Sequence, residues 1–214
     1  MPPAGRTSAV AKPDDDSRAR IIVAARHSFA SVGFEGASTR QIAAEAGVAQ
    51  SLLLYHFGSK DALWRAVMDD LFASLTAHMV AAQNRVKDHS IQARLVAMVE
   101  AFVDLCAADA DIHRIMTLEG RRPSERLTWL VDRHLREGYV QACDLIRRGQ
   151  EAGIVKPGDP TLLYYSMIAI AGTTFSLAPE IRLVSGNDRA VGPRAITKLI
   201  GSLLFNDKSS APSD

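Results

Sequence analysis

The sequence predicts an all-α protein with about nine helices. Apolar residues recur at intervals of three and four along nearly the whole chain, which is the spacing of one helix face. Strict alternation of apolar and polar residues between turn signals, the mark of a strand, is hard to find over any useful length. Glycine and proline separate the periodic segments, most clearly at residues 156–160. A chain of 214 residues with 47% hydrophobic residues is long enough to bury a core.

The charge balance excludes a uniformly basic protein of the histone type. Twenty-five Lys and Arg residues face 24 Asp and Glu residues, so the net charge is +1 and any nucleic-acid contact must be a local patch. The two cysteines, Cys106 and Cys143, have no metal-ligand spacing and lie in apolar helical stretches. This usage is typical of a reducing compartment, so we expect a cytoplasmic protein.

The first helix is expected to follow a flexible arm at residues 1–16, which has no apolar stretch that would make it a secretory signal. Asp16 or Ser17 is the expected N-cap, and Gly33 is expected to end the helix in the left-handed conformation. Four apolar residues then share one face at spacings of three and four: Ile22, Ala25, Phe29 and Val32.

Residues 38–57 have the spacing of a helix-turn-helix. Ser38 opens a short helix through Ala46, Gly47 supplies a positive φ for the turn, and a second helix runs to about His56. Ala43 is small where the two helices cross, and the shared core is filled by Ile42, Val48 and Leu53. The outward residues of the second helix can meet phosphates or base edges; they are Gln50, Ser51, Tyr55 and His56, with Arg40 and Lys60 on either side.

The N-terminal segment resembles the DNA-binding domain of the tetracycline-repressor (TetR) family. The matching positions are Ala25, Phe29, Gly33, Phe34, Thr39, Ile42, Ala43, Ala46, Gly47, Val48, Leu53, Phe57, Ser59, Lys60 and Leu63. The resemblance implies that Thr39, Arg40 and residues 50–56 contact DNA and that Lys60 holds a phosphate. Two departures remove phosphate contacts usual in the family: Ala49 stands where a hydroxyl residue is common, and Leu54 where a tyrosine is common. Leu52 can pack on a thymine methyl group instead of donating a hydrogen bond.

Later helices follow from serine caps and glycine or proline breaks. Ser59, Ser90 and Ser124 are expected N-caps, and the helix from Ser124 is expected to run to about Ala152. Residues 160–179 carry no charge and are as long as a membrane span, but their hydroxyl residues and Gly172 favour a helix buried on both sides. We expect a helix-turn-helix domain at 17–60, an effector-binding and dimerisation domain at 61–206 and a polar tail at 207–214.

The second domain is expected to bind a small effector, as the resemblance implies. Aromatic and methionine residues at helical spacing are the pocket candidates, and apolar walls favour a hydrophobic or aromatic compound; the candidates are Phe102, Met116, Trp129 and Tyr165. Most such residues are also ordinary core residues. The alternative is therefore a regulator without a ligand, whose second domain only dimerises or binds a protein partner.

A homodimer is expected because reading palindromic DNA needs two recognition helices about 34 to 36 Å apart, or a multiple of that distance. The expected interface uses the uncharged helix and the last helix, with Gly172 permitting close approach. Its residues are Ile168, Gly172, Phe175, Ile196, Ile200 and Leu203. The alternative is that the same residues face their own helical bundle.

The sequence offers no residues to which catalysis can be attached. No HExxH, GxSxG, phosphate-loop or dinucleotide motif occurs, and His113, Glu119 and His134 have no ligand spacing. We therefore expect no metal, no cofactor and no enzyme activity; a helical enzyme or small-molecule carrier with an incidental helix-turn-helix is the weaker alternative. The favoured function is a transcriptional regulator, a repressor rather than an activator, that leaves a palindromic operator when an effector binds.

Overall fold

The computed structural model describes residues 13–187 and 191–206 of the chain, and these are almost entirely helical. The helices are α1 (Pro13–Gly36), α2 (Thr39–Glu45), α3 (Gln50–Phe57), α4 (Lys60–Arg85), α5 (Ile91–Ala108), α6 (Asp111–Glu119), α7 (Glu125–Leu130), α8 (Arg136–Glu151), α9 (Pro160–Ser176), α10 (Ala178–Ser185) and α11 (Pro193–Leu204). A π-helical turn, Val131–Leu135, joins α7 to α8 without a break. The all-α prediction is confirmed.

The described residues hold ten helices when α7, the π turn and α8 are taken as one, against about nine expected. The extra helix is α10. The uncharged segment was expected to be a single helix through Pro179, but α9 ends at Ser176 and the chain bends by 71° into α10. In the described part of the chain no helix alone is long and apolar enough to span a membrane, although α9 and α10 together pass that test of length and composition.

The chain divides into two compact units, Met1–Asp69 and Asp70–Asp214. The first holds α1, α2, α3 and the beginning of α4. Its core is made of apolar side chains that are less than 2% exposed, among them Ile21, Phe29, Ile42, Leu53, Leu63 and Trp64. The division falls inside α4, later than the boundary after residue 60 drawn from the sequence.

Helix α1 begins at Pro13, earlier than the expected cap at Asp16 or Ser17. Proline suits the first turn of a helix because its missing N–H has no partner there. The expected arm is thus helical from residue 13, and residues 1–12 lie outside the described part, as does the polar tail at 207–214.

Gly33 interrupts α1 with φ 71° and ψ 177°. The positive φ that the sequence predicted is present, but this ψ lies far from the left-handed helical value expected of a C-cap. The chain therefore turns into an extended step at Gly33 before it reaches Ala37, which is buried.

Three predicted serine caps are confirmed. The Oγ atom of Ser59 accepts from Ala62 N at 3.1 Å, that of Ser90 from Ala93 N at 3.2 Å, and that of Ser124 from Leu127 N at 3.0 Å. Each bond satisfies one of the backbone N–H groups that the first helical turn leaves without a partner. Ser38 occupies the N-cap position of α2 but makes no side-chain cap bond.

The second unit is a helical bundle in which α5 packs against α8, α9 and α11. The side chains at its centre are almost wholly inaccessible and include Leu95, Val99, Val103, Ile146, Ala171 and Ile200. Gly149 is buried within α8. A Cβ atom there would lie 2.6 Å from the Val155 side chain and 2.7 Å from that of Leu95, so glycine is the residue that fits this position.

Candidate nucleic-acid interface

The helix-turn-helix predicted from spacing is present in α2, α3 and their turn. Gly47 has φ 66°, and Val48 N donates to Ala43 O at 2.9 Å across the turn. Ile42 and Leu53 are fully buried between the helices, and Ala43 is 1% exposed. Ala43, Gly47, Ile42 and Leu53 therefore have the positions that the sequence predicted for them, whereas Val48 is only partly buried.

Helix α3 turns its polar side outward. Gln50, Ser51 and Tyr55 are exposed, and Tyr55 is 78% accessible, so it does not cover the edge of the core. Leu52 is half-buried. Ala49 holds the N-cap position of α3, and its side chain makes no cap hydrogen bond. The exposed residues of α3 are accessible to a partner, as a groove-reading helix requires.

The first residues of α2 and α3 are joined by their side chains. Gln50 Nε2 donates to Thr39 Oγ1 at 3.1 Å. The sequence predicted a DNA contact for both residues, and the structure brings them together. Arg40 is exposed on α2 next to Thr39.

Lys60 does not point into solvent. Its Nζ atom donates to Phe34 O at 2.9 Å and to Ala37 O at 3.1 Å, and it lies 4.5 Å from the centroid of the Phe34 ring. The side chain was expected to hold a phosphate. Instead, two of the three donors of its ammonium group are used within the domain.

His56 is half-buried between aromatic neighbours rather than presented outward. Its ring centroid lies 5.6 Å from that of Tyr55 and 6.1 Å from that of Phe57. The Arg18 guanidinium lies 5.3 Å from the centroid of Phe57. These contacts favour packing at the end of α3 over base reading as the role of His56.

Arg20 contributes a contact that sequence reasoning did not find. Its Nη1 atom donates to Ala46 O at 3.0 Å, at the carboxyl end of α2, and its Nε atom lies 3.4 Å from Asp16 Oδ2. A cation at a helix C-terminus meets the negative end of the dipole. The available signal was that α2 has no basic residue in its own last turn.

The four expected pocket residues do not line one cavity together. Trp129 lies in an open surface depression with Pro123, Ser124, Glu125, Thr128, Asp132 and Arg133. Its ring is 5.3 Å from that of His134, which stacks on Phe72 at 4.9 Å. Phe102 packs against the core of the second unit, Met116 is half-buried and Tyr165 is exposed.

The expected dimer residues differ in how far they are buried within the chain. Ile196 is 4% exposed and Ile200 is fully buried in the chain's own core, so for these two the interface expectation is wrong. Gly172 is also buried, and the close approach it permits is to His113 of α6: a Cβ atom at Gly172 would overlap the imidazole ring of His113. Ile168 and Phe175 are partly buried, and Phe175 packs against the core. Leu203 is 51% exposed.

The next candidates are metal-ligating and nucleophilic side chains in the described ranges. No group of three or more His, Cys, Asp or Glu side chains in them is placed to hold a metal ion. Burial raises the pKa of the Cys106 thiol to about 12, so this thiol stays protonated and unreactive at neutral pH. Burial lowers the pKa of His113.

The chain is similar to known bacterial transcriptional regulators. Residues 21–67 match the family model "Bacterial regulatory proteins, tetR family". The chain is 33% identical over 104 residues to the HTH-type transcriptional activator FasR of Mycolicibacterium smegmatis, a match that covers 49% of this chain and 47% of that protein. It is 25% identical over 182 residues to the HTH-type transcriptional repressor SCO4008 of Streptomyces coelicolor, covering 83% and 88% of the two chains.

The fold also matches solved structures. The crystal structure of the putative transcriptional regulator SCO4942 from Streptomyces coelicolor superposes with a TM-score of 0.63 at 24% identity, covering 88% of this chain and 98% of the other. At this identity the likeness concerns the fold alone. The curated relatives include an activator and a repressor.

Proposed function

Because the chain is a DNA-binding transcriptional regulator of the tetR family, we propose that it is a homodimeric repressor that leaves a palindromic operator when a small hydrophobic effector binds. It acts in the cytoplasm, where its DNA target lies. DNA is read by the outward side of α3 together with the start of α2. The residues assigned to this surface are Thr39, Arg40, Gln50, Ser51, Leu52 and Tyr55.

The observation that carries the proposal is the contrast between the two sides of α3. Leu53 is fully buried, whereas Ser51 and Tyr55 are exposed on the opposite side and Gln50 is exposed at the first position of the helix. A folded helix of eight residues that keeps polar side chains outward is suited to the major groove, where base edges present distinct donor and acceptor patterns. Arg40 adds a positive charge beside that surface, where it is suited to a phosphate.

Dimerisation is supported by an apolar surface on α9 and α11. Four large apolar residues on these helices are at least 47% exposed: Leu162, Tyr165, Leu199 and Leu203. Helix α9 carries no charged side chain. Large exposed apolar patches mark protein interfaces, and a second copy of the chain is the partner that a palindromic operator requires.

The effector is proposed to bind beside Trp129. The π turn Val131–Leu135 lies next to this residue, and such turns are frequent at functional sites because they re-aim side chains within a helix. The Trp129 ring, which packs edge-on against the ring of His134, supplies the aromatic surface of this depression, which favours a planar apolar compound. A ligand that prefers the conformation unable to fit the operator shifts the population away from DNA.

A second candidate is a dimeric regulator controlled by a protein partner instead of a ligand. The observation that favours it is the openness of the depression at Trp129, whose lining is mostly polar or charged. Small-molecule sites bury most of their ligand's surface, and a shallow depression does so only after a rearrangement.

Selection of bound duplexes from a random DNA library, followed by sequencing, tests the proposal. The expected result is a palindromic motif with half-sites separated by one helical turn or a multiple of it. The selected duplex then serves as the probe for effectors: a planar apolar compound should release it from the wild-type protein but not from a Trp129→Ala variant. A protein that binds all duplexes equally would contradict the proposed function, and release of the duplex by a partner protein alone would favour the second candidate.

A further inference from the structure

The short segment that leads into the helix-turn-helix is held from outside by one side chain. After the break at Gly33, the chain passes through Phe34 and Ala37 before α2 begins at Thr39. Lys60, at the first position of α4, reaches back across 23 and 26 positions of sequence and donates to both carbonyl groups of this segment, at 3.1 Å from Ala37 O and 2.9 Å from Phe34 O.

The surroundings of the Lys60 ammonium group favour this position over solvent. The group is partly buried, and it lies 4.5 Å from the centroid of the Phe34 ring. Hydrogen bonds from a charged donor are stronger than those between neutral groups, and a cation over an aromatic face gains further attraction. Two of the three N–H groups of the ammonium are already bonded to carbonyl groups. If Lys60 gave two or more hydrogen bonds to a phosphate, at least one of these carbonyl groups would lose its bond to Lys60.

The segment held by Lys60 connects directly to the proposed DNA-reading surface. Ala37 is buried, and its carbonyl group lies two residues before Thr39. Ser38 O receives the first backbone bond of α2, from Ile42 N at 2.9 Å. Thr39 Oγ1 in turn accepts from Gln50 Nε2 at the start of α3. A displacement of the Ala37 carbonyl group therefore reaches Gln50 through a continuous path of short contacts.

We propose that Lys60 is a positioning residue for DNA reading and not a phosphate ligand: by holding the Phe34 and Ala37 carbonyl groups it fixes Thr39, and through Thr39 it fixes Gln50. This inference rests on the proposed reading of DNA by α2 and α3. It departs from the role that the resemblance implied for Lys60.

The test compares Lys60→Met, which keeps the aliphatic stem but removes charge and donors, with Arg40→Met as the matched control for a lost phosphate contact. Binding of the selected duplex is measured over a range of salt concentrations, and base preference is measured by selection. For Lys60→Met we expect weaker binding with an unchanged salt slope, and altered base preference at the positions that Gln50→Ala also alters. For Arg40→Met we expect the slope to fall by about 0.9 with base preference retained.

A double-mutant comparison measures the coupling itself. Lys60→Met and Gln50→Ala together should weaken binding less than the product of their separate effects, by about threefold or more, because both disturb the same path. If Lys60 only stabilises the fold, Lys60→Met should lower the melting temperature, and the effects of Lys60→Met and Gln50→Ala on DNA binding should multiply. Multiplicative effects, or a salt slope reduced by about 0.9 with base preference intact, would overturn the inference.

A measurement on the wild-type protein keeps the inference testable if Lys60→Met does not fold. The ¹⁵N-labelled ammonium signal of Lys60 should be visible by NMR because its bonds slow proton exchange, and it should not move when the duplex is added. A signal that shifts on binding, and shifts again with a phosphorothioate duplex, identifies a phosphate ligand and overturns the inference alone. A wild-type protein that selects no duplex refutes the proposed function, and the positioning role falls with it.

Discussion

The side-chain amide of Gln50 donates to Thr39 Oγ1 at 3.1 Å, so the amino ends of α2 and α3 are joined by the residues that are proposed to read DNA. The bond uses one N–H of the amide and leaves its carbonyl oxygen and second N–H for a base. A glutamine held in this way is oriented before DNA arrives, which lowers the entropy lost on binding.

Replacing Gln50 with alanine should relax base preference within each half-site. A well-placed glutamine contact contributes about 1 to 3 kcal/mol of discrimination against the wrong base pair. Repeating the duplex selection with Gln50→Ala measures this. Thr39→Val keeps the shape of the side chain but removes the acceptor, so it should shift the same positions to a smaller extent. An identical selected site for both variants would remove Gln50 from base reading.

Replacing Arg20 with alanine should lower the free energy of unfolding by about 1 kcal/mol. The change removes the donor to Ala46 O at the carboxyl end of α2, and the partial exposure of Arg20 keeps the loss below that of a buried bond from a charged group. Chemical denaturation gives the value. Arg40→Ala is the control, because Arg40 is exposed and its removal should affect DNA binding without affecting stability. Equal stability of the two variants would contradict the capping role of Arg20.

Two glycine-to-alanine changes should alter the free energy of unfolding in opposite directions. In Gly172→Ala the new Cβ atom would overlap the His113 ring, and we expect the free energy of unfolding to fall by about 1 to 3 kcal/mol as the ring is displaced. In Gly138→Ala, inside α8, nothing lies within 4 Å, and the better helix former should gain about 0.5 to 1 kcal/mol. Thermal unfolding distinguishes them. Adding His113→Ala to Gly172→Ala should recover part of the loss; no recovery would mean that His113 is not the obstacle.

Residues on two sides of α11 should respond differently to truncation. Ile200→Ala empties a fully buried position and should cost about 2 to 5 kcal/mol of stability. Leu203→Glu places a charge on a half-exposed residue of the proposed interface, so it should dissociate the dimer and leave the helical content of each chain intact. Sedimentation and circular dichroism at several protein concentrations measure both. A Leu203→Glu variant that stays dimeric would exclude this side of α11 from the interface.

Acidification should destabilise the second unit through His113. Burial lowers the pKa of this histidine below its ordinary value of 6.5, so the unfolded chain binds the proton more readily than the folded one. The free energy of unfolding should therefore fall as the pH drops through 6.5 toward the lower pKa of the folded state, and no further below it. The free energy of unfolding, measured by denaturation at several pH values in this range, should depend less on pH in His113→Gln than in the wild type. A change at the exposed His78 is the control and should leave this pH dependence as it is in the wild type. Equal slopes for wild type and His113→Gln would exclude this cause.

Local features of the chain were predictable because their causes lie within a few residues. The caps at Ser59, Ser90 and Ser124 each bond to a backbone N–H three positions later. The turn at Gly47 requires a positive φ that glycine adopts without strain. The helix-turn-helix was predicted for the same reason, since its small residue, glycine and apolar residues lie within one short segment.

Packing decided which side of each apolar helix faces the core and which side faces outward. On α11 the apolar residues at 196, 199, 200 and 203 cover more than one face, and the sequence alone did not show that Ile196 and Ile200 face inward while Leu199 and Leu203 face outward. The same limit applies to α9, which is apolar on nearly every side and whose bend into α10 was not expected.

The sequence by itself determined the all-α class, the helix-turn-helix and the helix starts capped by Ser59, Ser90 and Ser124, because helical period, caps and glycine turns are properties of neighbouring residues. Only the tertiary structure decided the partners of Lys60 and Arg20, whose acceptors lie 23 to 26 positions away. A basic side chain beside a recognition helix has the same sequence signature whether it holds a phosphate or a carbonyl group. The difference depends on which oxygen atoms the folded chain brings within reach of its donors.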